Sequence, residues 1–219
     1  MHIPDGIMSP EVLAVGWVVA LAIIALAVLK VNKKTDDKTV PLMAVLAAGI
    51  FVAQMLNFPI FGGTTGHLVG AALAVVLVGP WAGVMIITII LIIQCFAFGD
   101  GGLTALGLNL TNMAIIGPFV TWGTLKLFRG RMEKMGVLAA AWASVFIASF
   151  ACALELAASY QISGGAYGIE AAISMPAMLG YHAVIGIGEA IITAAIYFYL
   201  LRVAPDIIKT RTPAKGEAS

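Results

Sequence analysis

The chain has three histidines, at positions 2, 67 and 182, and the first of them directly follows the amino-terminal residue. A free amine next to a residue-2 histidine is a chelator. The α-amine of Met1, the deprotonated backbone nitrogen of His2 and Nδ1 of its ring can close fused five- and six-membered rings around one ion. Those three nitrogens lie in a plane and leave one corner open, which a neutral imidazole nitrogen from His67 would fill. Ionising a peptide N–H needs a strongly polarising ion that accepts planar nitrogen donors, which selects Ni(II) or Cu(II), with Co(II) also allowed. Zinc prefers tetrahedral sites and magnesium prefers oxygen. Every donor must be deprotonated, so binding should weaken in acid. Taken alone, His2 reads equally as an exposed terminal residue and His67 as a hydrogen-bonding loop residue.

The local sequence suits such a chelate. No basic stretch or small-residue cleavage site precedes the first apolar run, so no secretory signal is expected. His2 is too large for removal of the initiator Met, so Met1 is expected to keep its amine. Pro4-Asp5-Gly6 is a turn sequence that can fold residues 1–9 back as a metal-binding loop.

A bundle in a membrane must position these groups. Of 219 residues, 61% are hydrophobic and 11% charged, against about 25% charged in soluble domains. That excludes a water-soluble monomer and predicts one polytopic domain over 1–203 with a polar cytoplasmic tail over 204–219. Net charge is +1, but all twelve Lys and Arg fall in three clusters. These are Lys30, Lys33, Lys34 and Lys38; Lys126, Arg129, Arg131 and Lys134; and Arg202, Lys209, Arg211 and Lys215. The positive-inside rule puts all three in the cytoplasm. Parity then gives an all-α bundle of seven transmembrane helices, amino terminus outside and carboxyl end inside, near 10–30, 40–57, 67–79, 81–98, 103–126, 136–158 and 178–202.

The third helix is too short. From His67 to Gly79 it rises only ~20 Å, against a hydrocarbon core of ~30 Å. The Gly-rich loop 57–66 is therefore expected to dip into the bundle from outside and to carry His67 to an internal site, since irregular backbone at that depth needs protein or a cavity around it. Gly79-Pro80, 99–102 and 163–165 supply turns. Ala44/Ala48, Gly66/Gly70 and Ala139/Ala143 are small-residue pairs that let helices approach closely. Cys95 and Cys152 show no ligand spacing and read as packing residues.

The remaining polar residues have two readings each. Gln54, Asn57, Thr65, Gln94, Asn109 and Asn112 would either orient the ligands from behind or join helices. Glu189 and His182, seven apart and near one helix face, read as a hydrogen-bonded pair, with a metal-side role as the other option. Asp5, Glu11, Asp100, Glu155 and Glu170 make an acidic outer side that would attract cations. No GxxxxGK[ST], HExxH or GxSxG motif occurs, so neither ATP binding nor these hydrolytic chemistries are expected.

At Met1-His2-Ile3-Pro4-Asp5-Gly6 the chain resembles the substrate-binding membrane component of nickel/cobalt energy-coupling-factor transporters, the CbiM/NikM family. Residues 51–59, Thr65-Gly66-His67-Leu68, 98–107 and 186–190 share the likeness, which spans nearly the whole chain. The resemblance implies a seven-helix fold, with metal held by the Met1 amine, the amide and ring of His2, and His67. It also implies a transmembrane coupling subunit and cytoplasmic ATPases as partners. A small auxiliary membrane subunit, fused at the carboxyl end in some members, is expected here as a separate chain. The expected role is import of Ni(II), or of Co(II), across a bacterial or archaeal cell membrane, with no resident cofactor and no nucleic-acid partner. A self-sufficient secondary transporter and a vitamin-binding relative on the same scaffold are the rival readings.

Overall fold

Apolar residues on nearly every side of a helix make it a segment solvated by hydrocarbon, because lipid offers no partner for backbone polar groups. The computed structural model describes residues 1–32, 39–129 and 132–208. Among them, α1 spans Pro10–Asn32 and α2 spans Thr39–Gln54. A short antiparallel ladder pairs β1 (Phe58–Pro59) with β2 (Thr65–Gly66). Then come α3 (Ala71–Val78) and α4 (Pro80–Ile93), which continues as a π-helical turn over Gln94–Phe98. Next, α5 (Leu106–Asn109) passes through a π-helical stretch, Leu110–Ile116, into α6 (Gly117–Phe128). The chain continues with α7 (Glu133–Ile162), α8 (Ala171–Val203) and a 3-10 turn at Pro205–Ile207 that leaves Ile208 buried.

Among the described residues, four helices are long and apolar enough to cross a bilayer: α1, α4 with its π turn, α7 and α8. The chain is a mostly helical, multi-pass membrane protein. Val18, Val45 and Ile191 stand exposed on the outside of the bundle, where acyl chains would cover them. The core runs through Leu77, Ile86, Met113 and Leu156, and Met1 and Ile3 from the amino-terminal loop belong to the same cluster.

Several expectations need correction. The fold is not purely helical, because the predicted re-entrant loop forms the β1–β2 hairpin. Its Phe61 tip is 92% exposed, and only the second strand and the residues after it lead inward. The third helix is shorter than predicted, with 8 residues. Gly70 takes a left-handed conformation, φ 72°, just before it, which ends any helical path from His67. The last helix begins at Ala171 rather than near 178 and runs through Pro176. Pro176 lies past the first four N–H groups that have no intrahelical acceptor, so the helix gives up one internal bond there. Ala44 and Ala48 do not meet a neighbouring helix; they line an open apolar groove of about 870 Å³ between α2 and α4. Lys33, Lys34, Lys38, Arg131, Lys209, Arg211 and Lys215 lie outside the described residues, as does 209–219 of the expected tail.

Candidate metal centre

The amino-terminal loop reaches its place through backbone contacts that its own sequence makes available. Asp5 accepts hydrogen bonds from Leu103 N at 3.0 Å, Thr104 N at 2.8 Å and the Thr104 hydroxyl. Those contacts, with the hydroxyl bond first, hold its carboxyl below the usual carboxylate range. Ile3 is gripped at both ends: its N–H donates to Asn109 Oδ1 at 2.8 Å, and its carbonyl accepts from Asn109 Nδ2 at 3.2 Å and Gly102 N at 2.8 Å. A Cβ at Gly102 would collide with the Asp5 backbone nitrogen and carboxylate. The glycine-rich turn after α4 therefore lets the two backbones meet. Farther along, Ser9 N donates to Ser159 Oγ at 2.6 Å.

This docking carries the first two residues into a buried pocket. Met1 is 0% and His2 2% exposed. The Met1 amine donates to Thr65 O at 2.6 Å and lies 3.1 Å from Thr65 Oγ1, and His2 N–H donates to the same hydroxyl at 3.0 Å. Burial pushes the amine from an ordinary 8.0 down to about 5. Burial first, then the neighbouring amine, lowers the His2 imidazole to about 3 against a small opposing effect of Gln94. Both groups are therefore neutral near pH 7, as nitrogen donors must be.

The ring nitrogens are sorted by their partners. His2 Nε2 lies 3.1 Å from Gln94 Oε1. The amide oxygen can only accept, so Nε2 carries the proton and Nδ1 keeps its lone pair. That Nδ1 lies 3.3 Å from Asp100 Oδ1, in ion-pair range but without hydrogen-bond alignment. His67 Nδ1 donates to Leu68 O at 2.7 Å, which leaves the lone pair on Nε2, buried and without a partner. The two rings stack with centroids 4.6 Å apart and planes at 23°. Met1 and His2, adjacent in the chain, thus meet the sequence-distant His67.

The other candidates divide. Thr65 and Asn109 hold the loop as described, and Asn57 Nδ2 donates to Asp100 Oδ2 at 2.7 Å. Gln54 Nε2 donates to Val69 O at 2.6 Å, and Glu189 accepts from Val69 N at 2.8 Å and Gly70 N at 2.7 Å. These two steady the segment that follows His67. The expected Glu189–His182 pair does not form. Seven residues rise ~10 Å along a helix, and each finds a backbone partner instead: His182 Nδ1 donates to Met178 O at 2.8 Å. Asn112 bonds another helix: its Nδ2 donates to Glu155 Oε2 at 2.6 Å. That bond also turns Glu155 inward, away from the acidic outer side. Cys152 is buried and Cys95 half-buried, both free thiols.

Sequence reasoning missed two relations. Asp100 was read as surface charge rather than as a neighbour of His2, and Glu189 was not connected to the backbone after His67. The run Gly99-Asp100-Gly101-Gly102 held a signal for the first, since adjacent glycines mark close approach of another chain segment. Among the described residues, no three His, Cys, Asp or Glu side chains converge as a metal cluster. The nitrogens gathered here include backbone and terminal atoms that such a grouping leaves out.

The multi-pass helical bundle thus draws its amino end inside, against His67. The family described as the cobalt uptake substrate-specific transmembrane region matches residues 2–207, and the chain belongs to it. A relative from Haloquadratum walsbyi, named for metal transport, is 40% identical over 96% of this chain and 94% of its own length. The fused nickel transport protein NikMN of Rhodobacter capsulatus is 36% identical over 99% of this chain and 67% of its own. A crystal structure of a truncated transition metal transporter superposes with a TM-score of 0.89 at 38% identity, covering 93% of this chain and 99% of that one. The chain is a transmembrane component of cobalt or nickel uptake.

Proposed function

We propose that the chain is the metal-capturing subunit of an energy-coupling-factor importer and that it holds Ni(II) in a plane of four nitrogens. These are the Met1 amine, the deprotonated His2 amide nitrogen, His2 Nδ1 and His67 Nε2. The observation that carries this reading is the buried pocket in which the terminal amine and both imidazoles meet, each ring in the tautomer that frees the nitrogen the chelate needs. A buried, unpartnered His67 Nε2 otherwise has no return for the fold. Gln94 and Leu68 O hold the rings from behind, as partners of metal-bound histidines do.

The segments alternate through the bilayer in a way that supports seven crossings, with the amine outside and the carboxyl end inside. Lys30 ends α1, Lys126 ends α6, and Arg202 ends α8, all on the cytoplasmic side of that topology. Energy comes from a transmembrane coupling subunit and cytoplasmic ATPases, with a small auxiliary membrane subunit alongside. Withdrawal of the loop breaks three metal bonds and opens the path in one motion. Co(II) is the second reading, favoured by the cobalt description of the family.

The test is nickel loading of the purified chain with its native amino terminus, beside His2→Ala and a version extended by a few residues before Met1. One equivalent of nickel with a planar ligand-field band, lost in both variants, is expected. Normal loading of the extended chain, which has no amine at Met1, would overturn the proposal.

A further inference from the structure

His182 has no place among those four nitrogens, yet it is built like His67. It is fully buried, its Nδ1 donates to a main-chain carbonyl, and its Nε2 is buried without a partner. The donated Nδ1–H puts the lone pair on Nε2. An apolar residue of similar size would fill the same space without leaving a desolvated acceptor.

The face of α8 that carries His182 lies along the segment that carries His67. Met178 Sδ meets Thr64 Oγ1 at 3.8 Å, and Glu189 binds the N–H groups of Val69 and Gly70. Ile185 packs so closely on Gly66 that a Cβ there would come within 2.9 Å of its Cδ1. Positions 178, 182, 185 and 189 recur at helical spacing and form one stripe. From Met178 to Glu189 the helix rises ~16 Å, and the extended residues from Thr64 to Val69 span ~16 Å as well. The two elements therefore run side by side in register. His182, ~6 Å beyond Met178, falls level with the Thr65–Gly66 stretch, and the Thr65 carbonyl and hydroxyl hold the Met1 amine. With Nδ1 turned back to its own helix, Nε2 is the ring nitrogen left with a free lone pair.

We infer that His182 is a fifth nitrogen ligand for the transported ion, entering from the α8 side when the ion exchanges its donors. The inference rests on the four-nitrogen reading above. Planar four-coordinate ions of the nickel type change ligands by adding a fifth donor out of the plane before one of the four departs. Where the chain closes the site off from bulk solvent, a side chain of the bundle can supply that donor. In the step, His182 Nε2 gives its lone pair to the ion and His67 Nε2 takes its own back. Both imidazoles are neutral, so one nitrogen–metal bond forms, one breaks, and no proton or electron moves.

The experiment loads the full chain with Ni(II) and follows loss of the visible band after adding excess chelator, for wild type, His182→Gln and His182→Phe. Both variants are expected to keep one equivalent of nickel with an unchanged band and to release it at least ten-fold more slowly. In His182→Gly, free imidazole is expected to restore the wild-type rate, which a purely structural histidine would not require. Unchanged nickel content and size-exclusion profile report folding in each case. Equal release rates in all variants overturn this inference alone. A wild-type chain that takes up no nickel overturns the four-nitrogen reading and this inference with it.

Discussion

Removing the Glu189 carboxylate should loosen the metal without touching any ligand. Glu189 is 2% exposed, and its two oxygens accept from Val69 N and Gly70 N, the second and third residues after His67. Leaving a buried N–H without an acceptor costs ~1–3 kcal/mol. Glu189→Ala abandons two of them, so the arrangement that aims His67 Nε2 loses ~2–6 kcal/mol relative to relaxed alternatives. Apparent affinity falls in proportion to the fraction of chains still in that arrangement. A loss of 2 kcal/mol from an arrangement that barely dominates corresponds to about 30-fold, and we expect at least that weakening of nickel binding in Glu189→Ala. Glu189→Gln keeps one amide oxygen for one of the two N–H groups, so its affinity should fall between the two. The assay is competition against a coloured chelator, with far-UV circular dichroism to show that the helices persist. Glu189→Ala chains that are well folded and bind nickel as tightly as wild type would refute the argument that this carboxylate positions His67.

Three further outcomes follow from the docked loop. Gly102→Ala drives a methyl group into the Asp5 backbone; we expect the amine of Met1 to become open to an acylating reagent that leaves the wild-type chain unmodified, as read by mass spectrometry. The pH dependence of binding should be shallow. With the amine lowered to about 5 and the His2 ring to about 3, neither holds a proton between pH 6 and 8, so only the amide proton is displaced. Affinity should rise about ten-fold per pH unit in that window, and titrations showing a hundred-fold rise would contradict the buried, neutral amine. Asp100→Asn removes the carboxylate beside His2 Nδ1; the rate of nickel capture should drop at low salt and converge on wild type as salt screens the charge, measured by stopped-flow absorption.

How much was legible in the sequence depends on where each partner sits. Met1 and His2 are adjacent, so their chelating geometry is a local property, and the breakers around His67 announce a segment that cannot be an ordinary span. The fastening of the loop is different. Asn109 holding both polar groups of Ile3, and Gln94 fixing the His2 tautomer, are contacts between distant positions that no spacing along the chain encodes. Glu189 and His182 show the opposite error. Helical periodicity placed them on one face, and from that a pair was inferred, but a shared face does not bring residues seven apart into contact. Helix ends failed for related reasons: the last helix starts at Ala171, ahead of the expected 178, and carries Pro176 inside it, and the left-handed Gly70 separates His67 from the third helix.

The amino nitrogen held against Thr65 belongs to no side chain. Its identity is therefore beyond the reach of codon substitution. It can be altered only by moving the point at which translation begins or by capping the finished chain with a formyl or acetyl group. On the four-nitrogen reading, an affinity tag joined ahead of Met1 would remove one donor to the ion while leaving every side chain of the pocket intact.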